Sequence, residues 1–157
     1  KLEEGKTEPN LKETNLPALI EEVSTEIKGL LRSGQSFEYR HEGTASVQLD
    51  PALFKHVLLN LFSNAIKYSP ENKVIRVFTS VGPDGMLLRV ADQGMGIPKA
   101  DQKHLFSRFF RATNVTNVQG TGLGLYIVKR YVELMNGQIG FSSEEGKGTE
   151  FWVKLGA

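Results

Sequence analysis

Apolar residues recur along this chain in two rhythms, one helical and one alternating, and the switches between them outline the fold. Leu16, Leu19, Ile20, Val23, Ile27, Leu30 and Leu31 keep a helical period behind Asn15, a good N-cap, and Pro17 in the first turn. The pattern stops at Ser33-Gly34, so a first helix is predicted over about 16–32. Phe37, Tyr39 and His41 alternate with polar residues, Glu42-Gly43 turns the chain, and Val47 and Leu49 alternate again, predicting two short strands. Asp50-Pro51 opens a second helix that buries Leu53, Phe54, Val57, Leu58, Leu61, Phe62, Ala65 and Ile66 and ends at Ser69-Pro70. Val74 to Val81 and Met86 to Ala91 flank Gly82-Pro83-Asp84-Gly85 and read as a hairpin. Residues 92–121 show no sustained period, which in a compact domain points to function or mobility.

A third helix is predicted from about Gly122 to Asn136, burying Leu123, Leu125, Ile127, Val128, Tyr131, Val132 and Leu134, with Gly137 as a left-handed C-cap. Ile139 and Phe141, then Phe151, Val153 and Leu155, form a closing hairpin around Glu144 to Gly148. Helices separated by hairpins give an α+β class: three helices on one face of a mixed sheet, not a doubly wound fold.

Composition narrows the classes. The 157 residues are 39% apolar and 24% charged, with net charge +1, as expected of one compact soluble domain able to bury roughly 70% of its unfolded surface. Without cysteine there is no disulfide scaffold, thiolate zinc site or thiol nucleophile. No apolar run approaches the roughly 18 residues of a membrane-spanning helix, and nothing at Lys1 resembles a signal peptide. Near-neutral charge argues against a general nucleic-acid binder. Charge is segregated locally, however. Pro98 to Gln119 carries Lys99, Lys103, Arg108 and Arg111 against Asp101, while Lys1 to Glu26 carries three lysines against seven glutamates. The basic stretch suits either an anionic ligand or a solvated face.

Three of the glycine clusters are informative. Asp92-Gln-Gly94-Met-Gly96 follows a predicted strand, Gly120-Thr121-Gly122-Leu123-Gly124 opens the third helix, and Gly146-Lys-Gly148-Thr149 sits in the last hairpin. Free amides at a helix N-terminus bind phosphate, so Gly120 to Leu125 is a candidate anion site; the Gly146 cluster reads more simply as turn glycine. The dinucleotide fingerprint fails because its third glycine position holds Leu125. The Walker-type loop fails because five residues separate Gly140 from Gly146 and Gly148 follows Lys147. On the second helix Asn60 and Asn64 are four apart, with Lys67 and Tyr68 a turn further on. Two carboxamides in an apolar helix serve either as hard-oxygen donors to Mg²⁺, with Lys67 neutralising phosphates, or as buried hydrogen-bonding groups.

Taken together, these motifs resemble the ATP-binding domain of sensor histidine kinases, within the GHKL group that includes gyrase. The resemblance runs from about Asn10 to Leu155. Asn60-Leu-Phe-Ser-Asn64-Ala-Ile-Lys67-Tyr68 resembles the N box and Asp92-Gln-Gly94-Met-Gly96 the first glycine box. Phe106-Ser-Arg-Phe109-Phe110-Arg111 resembles the F box and Gly120-Thr-Gly122-Leu-Gly124-Leu125 the second glycine box.

The resemblance implies a two-layer α/β sandwich with about five, mostly antiparallel strands and a mobile ATP lid over Pro98 to Gln119. It implies that Asn64 ligates Mg²⁺, that Asn60 holds metal or water, and that Lys67 meets the phosphates. Tyr68 would pack near the purine and Asp92 accept the adenine amine. Gly94 and Gly96 would give room for the base, Ile97 line its pocket and Thr149 assist. Gly120, Thr121, Gly122, Leu123, Gly124 and Leu125 would complete the ATP site, Arg111 reach the γ-phosphate, and Phe106 and Phe109 anchor the lid.

Gyrase-like members carry a glutamate base where this chain has Asn60, and an amide takes no proton from water, so phosphoryl transfer is expected over hydrolysis. Asn60, Lys67 and Arg111 are then the expected catalytic set. His41-Glu42, His56 and His104 do not fit the family's acceptor motif. The acceptor histidine is therefore expected on an upstream dimerisation domain, with residues 1–9 as the end of a linker and 10–157 as the catalytic domain. The further partner implied is a response-regulator receiver domain, and the placement implied is cytoplasmic, often within an inner-membrane sensor. The alternatives are a serine kinase of anti-sigma type and an ATP-gated binding module.

Overall fold

The computed structural model describes residues 8–106 and 124–156. In chain order the elements are β1 (Lys12–Asn15), α1 (Leu16–Ile27), β2 (Ser36–Gly43), β3 (Ser46–Leu49), α2 (Pro51–Tyr68), β4 (Val74–Gly82), β5 (Gly85–Ala91), α3 (Lys99–Gln102), α4 (Gly124–Leu134), β6 (Gln138–Glu144) and β7 (Gly148–Leu155). Five strands form one sheet in the order β2-β4-β5-β7-β6, antiparallel throughout except that β2 and β4 run parallel. A parallel pair cannot be closed by a tight turn, and here β3 and α2 supply the crossover between β2 and β4. The remaining two strands, β1 and β3, make a separate antiparallel ribbon.

One face of the large sheet is apolar. Ile75, Val77, Met86, Leu88, Val90, Phe151, Val153 and Leu155 are all buried, and the ring of Phe37 on β2 meets Phe62 of α2 at 5.1 Å. Helix α2 is the centre of the core: all eight of its expected inward positions are buried. A polar triad interrupts this face with its groups paired: fully buried Thr79 Oγ1 lies 2.6 Å from Tyr39 Oη and 2.7 Å from His41 Nδ1. Burial raises the Tyr39 pKa, partly offset by the Thr79 bond. The opposite face carries a row of paired positions, Arg40, Phe78, Arg89 and Trp152. There both guanidinium groups lie over the Phe78 ring.

Several expectations shift. The first helix ends at Ile27 and tightens into a 3₁₀ turn over Lys28–Leu30, which leaves Leu30 61% exposed. The strands β2 and β3 join different sheets. Strand β1 has no apolar alternation because it is almost wholly exposed, so backbone pairing alone defines it. The left-handed residue after α4 is Asn136 (φ 59), not Gly137. Gly137 serves a different need, since a Cβ there would stand 2.6 Å from the Lys154 carbonyl oxygen as β7 passes. On α4 itself burial is complete only at Val128 and Val132, Ile127 being half-buried. The short α3 falls within the stretch that has no period.

The start of α2 is held by Asp50. Its Oδ1 accepts from the amides of Ala52 (3.0 Å) and Leu53 (3.1 Å), and its Oδ2 accepts from the Asn10 amide at 2.8 Å. Asp50→Ala is expected to cost about 1–2 kcal/mol, and Phe62→Ala about 3–5 kcal/mol. Urea denaturation of the chain measures both.

Candidate functional site

Helix α2 presents Asn60 and Asn64, both half-buried, on neighbouring turns. Asn60 Nδ2 donates to the His56 carbonyl at 3.0 Å, which fixes the amide and leaves Oδ1 facing Gly124. A Cβ at Gly124 would sit 3.4 Å from that oxygen. The head of α4 thus lies against the N-box helix, joining two segments far apart in sequence. Asn64 makes no side-chain hydrogen bond among the described residues, so its carboxamide oxygen is not committed to another part of the fold.

The far end of α2 is secured by residues that carry no motif. Gln35 Nε2, almost fully buried, donates to the carbonyls of Ile66 (3.2 Å), Ser69 (3.0 Å) and Pro70 (3.3 Å), and Arg32 donates to those of Lys67 and Ser69. The Ile66 and Lys67 carbonyls are among the acceptors that a helix C-terminus leaves unpaired, and those of Ser69 and Pro70 follow directly after it. Neither Arg32 nor Gln35 was anticipated, and a loop glutamine offers no periodicity or spacing by which to find it.

From that anchored end the chain meets the loop after β5. Ser69 Oγ accepts from the Gln93 amide at 3.2 Å. Gly94, which is buried, lies so close to the Tyr68 carbonyl that any side chain would collide with it. The space left by the missing side chain at Gly94 is therefore filled by protein backbone. Asp92 closes the loop: its Oδ1 accepts from the amides of Gly94 (2.9 Å) and Thr149 (3.2 Å). Its own amide donates to the Thr149 carbonyl at 2.8 Å. Burial raises the Asp92 pKa above the usual carboxylate range, and the two amide bonds oppose that shift. Gly148, at φ +118, is the other glycine the site requires, because a side chain there would strike the Asp92 carbonyl.

The last hairpin completes this wall. The Ile97 amide donates to Ser143 Oγ (2.8 Å), and Ser143 Oγ lies 2.8 Å from Thr149 Oγ1. The Gly146 amide donates to the Met95 carbonyl at 2.6 Å, bracing the loop that contains Gly96. A cavity of about 610 Å³ opens beside Asp92, Ile97, Ser143 and Thr149; Asn60 and Asn64 do not line it. The structure thus brings Tyr68, Asp92, Gly94, Gly96, Ile97 and Thr149 together in one cluster and sets Asn60 against Gly124. Leu125 packs on the core, and Lys67 is exposed at the end of α2. Phe106 stacks edge-on against Phe141 (6.1 Å) and Phe151 (6.4 Å), so the start of the expected lid is anchored apolarly. Phe109, Arg111, Gly120, Thr121, Gly122 and Leu123 lie outside the described residues.

Residues 49–157 match the family described as histidine kinase-, DNA gyrase B-, and HSP90-like ATPase. The chain belongs to this ATPase family. It is 36% identical over 99% of its length to the sensor histidine kinase GacS of Pseudomonas protegens, of which it spans 18%. It is 31% identical over 85% of its length to the signal transduction histidine-protein kinase ArlS of Staphylococcus aureus, of which it spans 31%. Among solved structures it resembles the mycobacterial sensor histidine kinase MprB, with a TM-score of 0.81 and 27% identity over 93% of this chain and 97% of that one. It also resembles full-length ShkA in complex with AMPPNP, at a TM-score of 0.81 and 27% identity over 94% of this chain and 31% of that one. The α+β fold with its five-stranded mixed sheet is the one these kinase domains share. No helix among the described residues is long and apolar enough to cross a membrane.

The three histidines of this ATPase domain sit in different surroundings. His41 is held at both ring nitrogens, by Thr79 Oγ1 and by the Thr44 carbonyl, which requires the proton on Nε2. His56 stacks edge-on against Tyr131, and His104 is exposed.

The buried Asp92 carboxylate has a stability consequence. Its pKa is raised in the folded state, so the fold binds that proton more tightly than the unfolded chain does. Stability is lost as pH rises from the ordinary carboxylate range through the raised value, and remains lost above it. Asp92→Asn retains an oxygen for both amides and carries no charge. Urea denaturation at a series of pH values is expected to show the variant gaining on the parent across that window.

Proposed function

We propose that this domain binds ATP with Mg²⁺ and transfers the γ-phosphate to a histidine outside the chain, on an upstream dimerisation domain of the same parent. The phosphoryl group then passes to an aspartate on a response-regulator receiver domain. The observation that carries this reading is the placement of α2: one helix sets Asn60 against the head of α4 and, at its end, meets the loop that holds Asp92. Phosphate-facing and base-facing groups are thereby connected through a single rigid element.

In this reading Asp92 Oδ1 is saturated by backbone amides, which leaves Oδ2 to accept the adenine amine. Tyr68 and Ile97 flank the base, with Gly94 and Gly96 shaping the loop, and Thr149 assists. The uncommitted Asn64 carboxamide suits a hard cation that keeps phosphate oxygens and waters in its shell. Bound there, Mg²⁺ would neutralise charge on the phosphates. Lys67 supplies a cation beside them, and Gly120 to Leu125 with Arg111 would close over the γ-phosphate. Asn60 takes no proton from water, which disfavours hydrolysis and leaves a neutral imidazole, already nucleophilic, as the acceptor. Relatives named as sensor histidine kinases support this reading over a serine kinase or a passive binding module. Their greater length supports a parent in which residues 1–9 lead from the upstream helices, the domain itself lying in the cytoplasm.

Asn64→Ala and Asp92→Ala are each expected to weaken Mg·ATP binding by about 100-fold or more, measured by calorimetry. Normal affinity in both variants would place the site elsewhere. With the upstream helices of the parent restored, labelled ATP should yield an acid-labile, base-stable phosphohistidine. Acid-stable label on a partner protein would indicate a serine kinase, and binding without transfer a gating module.

A further inference from the structure

Ser143 is not one of the groups assigned above to the nucleotide, yet its hydroxyl is the most fully committed in the site. It accepts from the Ile97 amide at 2.8 Å, faces the Gly148 carbonyl at 3.2 Å, and lies 2.8 Å from Thr149 Oγ1. A serine hydroxyl offers one proton and two lone pairs. The Ile97 amide can only donate and the Gly148 carbonyl can only accept. The arrangement that satisfies all three partners sends the Ser143 proton to Gly148, one lone pair to Ile97 and the other to the proton of Thr149.

We infer that Ser143 is a positioning residue for base selection, acting by taking the Thr149 proton so that Thr149 presents only lone pairs beside Asp92. The two residues are tied directly, the Thr149 amide donating to Asp92 Oδ1 at 3.2 Å and the Asp92 amide to the Thr149 carbonyl at 2.8 Å. A carboxylate and an oriented hydroxyl, both accepting, form an edge that a purine with an exocyclic amine can satisfy directly or through a water. A purine with a carbonyl at the same position meets two acceptors and no donor, which leaves buried polar groups unpaired. Thr149 is 7% exposed, so bulk water does not readily reorient its hydroxyl. The geometry of Ser143 is itself braced: Gln102 Nε2 donates to the carbonyls of both Ile97 (3.0 Å) and Ser143 (3.2 Å). This inference rests on the reading of Asp92 as the base-binding carboxylate.

The test is the ratio of Mg·ATP to Mg·GTP affinity of the chain, measured by calorimetry for the parent, Ser143→Ala, Ser143→Thr and Asp92→Asn. Ser143→Ala frees the Thr149 proton to donate toward a carbonyl, and the ratio is expected to fall about ten-fold. Ser143→Thr keeps the hydroxyl and should restore the ratio. A merely structural role for Ser143 would weaken both nucleotides together, and an unchanged ratio in Ser143→Ala overturns the proposal. Should that variant fail to fold, Thr149→Val removes the oxygen that Ser143 orients, and an unchanged ratio there overturns it equally. The underlying reading fails separately: if Asp92→Asn leaves the preference for ATP intact, Asp92 is not the base-binding group. If Asp92→Asn abolishes the preference and Ser143→Ala does not, only the role of Ser143 falls.

Discussion

The last turn of α2 meets the loop after β5 backbone to backbone, with the Tyr68 carbonyl seated where a side chain at position 94 would stand. That approach is possible only because residue 94 is glycine and because the carbonyls at the helix end are otherwise satisfied. Gln35 and Arg32 reach in from the turn after α1 to satisfy them. The fully buried Ser69 then hands the chain across to Gln93. Without this junction the carboxamides of α2 and the carboxylate of Asp92 would belong to separate parts of the molecule. With it, they are joined through one packed junction.

The site also concentrates polar groups that the fold would not choose for stability. Asp92 is a partly buried acid whose Oδ1 accepts from two backbone amides, and burial raises its pKa despite them. Beside it the Ser143 and Thr149 hydroxyls are tied to each other and to backbone groups that leave little rotational freedom. Such preorganisation spares a ligand from having to orient these groups when it binds. The contrast with Thr79 is instructive. That buried hydroxyl is fully matched by Tyr39 and His41 and lies among core side chains, where it completes the packing of β2 on β4.

The support beneath the site is the apolar face of the sheet. Helix α2 buries every one of its inward positions there, and Asp50 fixes its start by capping the first turn while also holding the Asn10 amide. Because this helix carries both asparagines, the packing of its inward face on the core is what fixes their position.

Helix α2 and the hairpins of β4 with β5 and β6 with β7 were legible from residue order alone. Each is specified locally, by apolar spacing, by caps and by turn chemistry acting within a few residues. Strand β1, the separation of β2 from β3, and the left-handed turn at Asn136 were not. They depend on which distant backbone lies alongside, and an exposed strand needs no apolar alternation. The same division runs through the site. Residue types and spacing single out Asn60, Asn64 and Asp92 as candidates, whereas Arg32, Gln35 and Ser143 stand out only through the partners that folding brings within hydrogen-bonding reach. Spacing along a chain encodes periodic burial; it does not encode which donor will face which acceptor once helices and strands have packed.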